Sequence, residues 1–160
     1  MAAACGSAFA VDFEILSYPP PVHGGNIQID LGLGFSAWGD FRWNMMIPPL
    51  AATVEYCLPV MVPISVGGMF GFAQFREDST FNYLAFAGRA NWHWGFGIEW
   101  LDAYTGVSLG YQYFGNSDWN YSPFYRGAQI GAHFYLTDFI GAVAEIGYPI
   151  LAKAGIALKF

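Results

Sequence analysis

From Asn26 onward the chain alternates. In NIQIDLGLGF, Ile27, Ile29, Leu31, Leu33 and Phe35 take every second place, with Gln28, Asp30, Gly32 and Gly34 between them, the period of a strand with two unlike faces. LAATVEYCL repeats the pattern with Leu50, Val54, Tyr56 and Leu58 opposite Thr53, Glu55 and Cys57. ISVGGMFGFAQF sets Ile64, Val66, Phe70 and Phe72 against Ser65, Gly67, Met69 and Gly71, and FNYLAFAGRANW sets Leu84, Phe86, Ala90 and Trp92 against Tyr83, Ala85, Ala87 and Arg89. The stretches LDAYTGVSLGYQYF, FYRGAQIGAHFYL, IGAVAEIGY and AKAGIALKF bring the set to eight strands. PVMVP, REDST, GNSDWNYSP and TDF stand between strands and carry the residues of turns.

Hydropathy alone points elsewhere over Met45–Ala73, where Glu55 is the single charge and a transmembrane helix would be read. Pro48, Pro49, Pro59 and Pro63 interrupt every helical window there, and the stretches between them alternate. The segment Ala37–Pro49 reads as a loop, with the second strand starting at Leu50. Eight strands of about 9–11 residues fit the roughly 135 residues from Asn26 to Phe160 and leave about 55 for seven connections. Residues 1–10 read as the remnant of a signal peptide, ending in the A-x-A form Ala8-Phe9-Ala10. Residues 11–25 read as a lead-in, and residues 26–160 as one barrel domain.

Composition decides what surrounds the strands. Charged residues are 11% of the chain, hydrophobic ones 55% and aromatic ones 19%, where a soluble domain carries about a quarter charged residues. The net charge of −6, without a Lys/Arg cluster, excludes the electrostatic footprint of a nucleic-acid binder. In a water-soluble barrel the second face would be rich in Lys, Glu, Asp and Thr. Here it holds Gly32, Gly34, Gly67, Gly71, Gly106, Gly110, Gly127, Gly131, Gly147 and Gly155, beside Tyr83, Tyr104, Tyr135 and isolated charges. That set suits the crowded interior of an eight-stranded barrel, which puts the apolar face in lipid. Unpaired backbone groups in hydrocarbon cost several kcal/mol each, so the sheet has to close. The expected fold is all-β, a closed antiparallel up-and-down eight-stranded transmembrane barrel. Trp92, Trp94 and Trp100 crowd one connection, and Trp38, Trp43 and Trp119 fall in connections at the other end, the distribution of two aromatic girdles.

The segment Lys153-Ala154-Gly155-Ile156-Ala157-Leu158-Lys159-Phe160 resembles the β-signal of bacterial outer-membrane barrels: a polar residue, any residue, glycine, two more of any kind, a hydrophobic residue, any residue and an aromatic. Gly155, Leu158 and Phe160 fill its constrained places. With the strand pattern, this is similar to the small eight-stranded barrels of the OmpA, OmpX and OmpW types. The resemblance implies a bacterial outer-membrane location and insertion by the outer-membrane assembly machinery. It also implies contact with lipopolysaccharide or other glycolipid, both termini in the periplasm, and outer loops at Ala37–Pro49, Arg76–Thr80, Gly115–Pro123 and Tyr148–Leu151. These loops are shorter than those general in OmpA- and OmpX-like proteins, which weakens an adhesin role.

Little in the chain announces chemistry. Gly106-Val107-Ser108-Leu109-Gly110 fits G-x-S-x-G but lies within an alternating strand, whereas a nucleophile elbow needs a strand–turn–helix. His23, His93 and His133 lack metal-ligand spacing and read as hydrogen-bonded fillers. No metal, cofactor or enzymatic activity is expected. The inner face carries Asp30, Glu55, Arg89, Asp102, Glu145 and Lys153, and buried charges need partners. The expected pairings are Lys153 with Asp30 and Glu145, and Arg89 with Asp102 or Glu55. This network is either a fixed plug of ion pairs or a gated, water-filled path. Two roles follow: a structural or accessory barrel that contacts lipid or another outer-membrane protein, or a passive channel or binding protein for small, partly apolar molecules, as the OmpW resemblance implies.

Overall fold

The computed structural model describes residues 18–37, 44–76, 79–115 and 122–160. Eight strands follow one another: β1 (Ile27–Ala37), β2 (Asn44–Cys57), β3 (Ile64–Arg76), β4 (Thr80–Trp94), β5 (Leu101–Phe114), β6 (Phe124–Tyr135), β7 (Ile140–Gly147) and β8 (Ile150–Lys159). Each pairs antiparallel with the next, and β8 pairs with β1, which closes the barrel. Closure is continuous from Gln28↔Lys159 to Phe35↔Ala152. Beyond the last strand Phe160 and Ile27 exchange two backbone hydrogen bonds of 2.9 Å. No sheet edge is left along this seam.

Alternation along each strand becomes alternation between the two sides of the wall. In β4, Phe81, Tyr83, Ala85, Ala87, Arg89, Asn91 and His93 are buried, while Asn82, Phe86, Gly88 and Trp92 are exposed. The outward set of the whole barrel is apolar, with Leu31, Leu33, Val54, Val107, Leu109, Ile130, Ile146 and Ile156 all more than half exposed. The inward set holds every buried charge among the described residues, the reverse of a soluble barrel.

Strand β2 begins earlier than the expected loop Ala37–Pro49 allows. It starts at Asn44 and runs through Pro48 and Pro49, with register shifts between Met45 and Ile47 and between Ile47 and Leu50. A bulge is where a strand accommodates prolines, which cannot donate to the ladder. The readings of residues 1–10 and of Trp38, Trp43 and Trp119 fall outside the described residues.

The lumen is layered. At the end opposite the termini, Met69, Ala73, Phe75, Phe81, Tyr83, Ala85, Ala87 and Tyr125 form an apolar cluster, against which Phe114 and Tyr148 pack. Polar and charged side chains fill the middle. At the terminal end Val22, Cys57 and Tyr135 form a small apolar floor, carried by the lead-in, whose Tyr18 bridges to Gly95 and whose Pro21 carbonyl accepts a 3.1 Å bond from Lys159.

Candidate functional site

The middle layer is built by parity. Asp30 on β1, Glu55 on β2, Ser65 on β3, Arg89 and His93 on β4, Asp102 on β5, His133 on β6, Glu145 on β7 and Lys153 on β8 all sit at inward places and are 8% exposed or less. An eight-stranded lumen is narrow enough for them to meet. Starting from Asp30, the contacts form one chain. Asp30 faces His133 Nε2 at 3.2 Å, and His133 Nδ1 lies 3.0 Å from Asp102. Asp102 lies 2.9 Å from His93 Nδ1, and His93 Nε2 lies 2.9 Å from the Ser65 hydroxyl. Ser65 donates to Glu55 at 2.5 Å, Glu55 lies 3.3 Å from Arg89, and Arg89 donates to Glu145 at 3.2 and 2.6 Å. Lys153 lies 3.4 Å from Glu145. Acids and bases alternate along this path, with Ser65 as the one neutral link.

Neutral groups complete the coordination. Asn91 donates to both oxygens of Glu55 at 2.7 Å and accepts from Gln129 at 2.7 Å. Tyr104 donates to Glu145 at 2.6 Å, and Lys153 donates to Thr53 at 3.3 Å. Gln28 donates to Tyr135 at 2.7 Å and to Asp102 at 3.2 Å. Charges removed from water are tolerable only with this many partners.

The six charges read from the sequence therefore gather in one network, in which the expected pairs Arg89–Glu55 and Lys153–Glu145 form and the expected alternatives Arg89–Asp102 and Lys153–Asp30 do not. Arg89 bonds Glu145 and Glu55 rather than Asp102, because Asp102 is occupied by two imidazoles. Lys153 bonds Glu145 as expected but not Asp30, whose partner is His133. His93 and His133 are hydrogen-bonded inside the barrel as expected, and are also links in the ionic chain; the signal for this lies in the sequence: both sit at inward places, like Arg89. Among the described residues no cluster of ligating side chains could hold a metal ion.

Ser65, His93 and Asp102 have the connectivity of a nucleophile, its base and the orienting acid. Access is missing. Ser65 is 0% exposed, its proton is directed to Glu55, and its strand is paired on both sides, with Cys57 and with Asn91.

Two spaces adjoin the network. A void of about 10 Å³ touches Arg89, Ser108, Glu145 and Lys153, room for about one water molecule. A larger crevice of about 410 Å³ opens at the terminal end, between the lead-in and the β2–β3 turn, lined by Tyr18, Pro20, Met61, Ile64, Trp92 and Trp94 among others. Trp92 and Trp94 stand 6.1 Å apart on β4, and Trp100 lies on the β4–β5 connection at the same end, half exposed. At the opposite end Tyr111 and Phe124 meet edge to face at 5.5 Å.

No family model matches this chain, and no curated protein matches it. Solved structures do. Ail, an outer membrane protein of Yersinia pestis determined in a phospholipid bilayer nanodisc, superimposes with a TM-score of 0.55 and 16% identity over 85% of this chain and 99% of its own. The N-terminal β-barrel domain of Pseudomonas aeruginosa OprF gives 0.54 and 14%, over 86% and 98%. A de novo designed transmembrane β-barrel gives 0.53 and 17%, over 87% and 98%. At these identities the likeness is one of fold, the closed eight-stranded transmembrane barrel.

Proposed function

We propose that this chain is an integral barrel of the bacterial outer membrane with a closed lumen and a structural or accessory role, and that it is not an enzyme. The observation that supports a closed lumen is the unbroken chain from Asp30 to Lys153, which joins inward groups on all eight strands, with Ser65 as its neutral link. The apolar cluster around Phe75, Phe81 and Tyr83 covers it from one side. The lead-in covers it from the other, through Val22. A barrel so filled works through its outer face, on lipopolysaccharide or another glycolipid, or against a second outer-membrane protein. The outer-membrane assembly machinery is its partner during insertion, through the strand that carries Gly155, Leu158 and Phe160.

The crevice of about 410 Å³ favours a second reading, in which the terminal end binds small, partly apolar molecules between prolines and Trp92. Planar-bilayer recording of the folded protein separates the main reading from a channel. Silence in wild type supports a closed lumen; steady single-channel steps in wild type would overturn it.

A further inference from the structure

Besides the phenols of Tyr83, Tyr104, Tyr125 and Tyr135 and the thiol of Cys57, the buried chargeable side chains of the described lumen are four carboxylates, Asp30, Glu55, Asp102 and Glu145, two basic side chains, Arg89 and Lys153, and two imidazoles. Arg89 and Lys153 leave two carboxylates, Asp30 and Asp102, whose basic neighbours are the two imidazoles. Hydrogen bonding at His133 makes its own demand. Its Nδ1 meets the Asp102 carboxylate at 3.0 Å and its Nε2 meets Oδ2 of the Asp30 carboxylate at 3.4 Å, and an ionised carboxylate only accepts. Both ring nitrogens must donate. Gln28 approaches Nδ1 at 3.4 Å, but its amide already donates to Tyr135 and Asp102 at shorter range.

His93 is placed differently. Its Nε2 meets the hydroxyl of Ser65, which both donates and accepts. The hydroxyl can therefore meet the ring as donor or acceptor, and Asn91 holds both Glu55 oxygens whichever way it points. His133 has no such partner. Around it stand Asp30 and Gln28 on β1, Asp102 and Tyr104 on β5, and Tyr135 on its own strand, with Lys159 of β8 above the Tyr135 ring at 4.1 Å. Apart from Gln28, none of these offers a proton toward the imidazole: Tyr104 directs its own to Glu145, and Lys159 is directed to Pro21.

We infer that His133 is a proton-linked latch on the lumen, tying β1 to β5 through Asp30 and Asp102 while both its nitrogens are protonated and releasing them when one proton is lost. A neutral ring turns a lone pair toward a carboxylate and leaves Asp30 and Asp102 short of a counter-charge, which is costly in a dry site. Stability tied to this proton is present at low pH and falls as pH rises. The latch rests on the closed-lumen reading, and its function is to loosen the plug in alkaline surroundings.

The test compares wild type, Asp30→Asn and His133→Gln, each folded in lipid, at about pH 5.5 and about pH 9.5, either side of the imidazole range. The readouts are the temperature at which the compact band is lost on unboiled gels, and planar-bilayer conductance. In wild type the transition should fall by about 4 °C or more between the two conditions, with conductance steps appearing only at the higher pH. The amide introduced by Asp30→Asn can donate to a neutral His133, so this variant should flatten the dependence. His133→Gln should be flat at the lowered value. A wild-type shift matched in full by both variants would overturn the latch, as would no shift in wild type. Conductance in wild type at the lower pH would instead overturn the closed lumen. If one variant does not fold, the other still decides between these outcomes.

Discussion

Arg89 on β4 and Glu145 on β7 meet across the lumen through two parallel hydrogen bonds of 3.2 and 2.6 Å, although 56 residues separate them in sequence. Each has a second partner, and the two are not equivalent. Glu145 keeps Lys153 and Tyr104 if Arg89 is removed, but Glu55 then loses its ionic partner and keeps only Ser65 and Asn91. Arg89→Met should therefore destabilise the barrel by about 3–5 kcal/mol, and Glu145→Gln by less, because Arg89 retains Glu55. Urea titration of the barrel in bilayers measures both, and the double variant should cost less than the sum of the two single ones. Equal, additive effects would show that the pair does not act as a unit.

Where β8 closes on β1, Gly155 stands in register with Gly32. A methyl group at Gly155 would lie 2.0 Å from the Leu31 carbonyl oxygen and 2.5 Å from the Gly32 Cα, so backbone would have to move. Gly88 is the contrast: it faces outward, and a Cβ there meets nothing within 4 Å. Gly155→Ala should lower the yield of heat-modifiable, folded protein sharply. Gly88→Ala should leave it unchanged or raise it, since alanine restricts the unfolded chain. Similar yields for the two would contradict the tight seam.

The wall of this barrel is legible from residue order because one side of it must suit lipid. Leu31, Leu33 and Phe35 cannot sit on the same side as Asp30 and Gly32, and parity alone assigns the faces. What parity does not carry is which inward groups meet, since that depends on the stagger of the closed sheet. Arg89 is paired along the wall with Gly67 and Ser108, yet its ionic partners come from β2 and β7. Metal-ligand spacing tests His93 and His133 only as ligands and says nothing of them as charge carriers. A count of inward charges, four acids against two permanent bases, points to them without any structure. The start of β2 departs from expectation because Pro48 and Pro49 normally end strands, and a bulge removes that rule locally.

Depth in the membrane should be measurable on β5. Val107 is 60% exposed near the middle of the strand, and Tyr113 is 50% exposed close to its end. An outward arginine costs about 2–4 kcal/mol at the bilayer midplane and about 0–1 near the interface. Val107→Arg should thus be far more damaging than Tyr113→Arg when unfolding is followed in bilayers. On a water-facing wall both would be nearly silent, and that outcome would remove the case for lipid contact.

Ser65 is the remaining place where chemistry and architecture make different demands. Its hydroxyl is the sole neutral joint in the ionic chain, accepting from His93 at 2.9 Å while it donates to Glu55 at 2.5 Å. As a structural joint, Ser65→Ala leaves His93 Nε2 facing a methyl group and removes one donor from Glu55, at a cost of about 1–3 kcal/mol. As a nucleophile, the same residue would need an open approach and an unpaired N–H for the developing oxyanion, and β3 offers neither, its backbone being paired to β2 and β4. A fluorophosphonate probe should therefore leave Ser65 unlabelled in the folded barrel, while Ser65→Ala lowers the unfolding midpoint in urea. Labelling of Ser65 in the folded protein, lost in Ser65→Ala and in His93→Gln, would overturn the non-enzymatic reading and turn the joint into an active site.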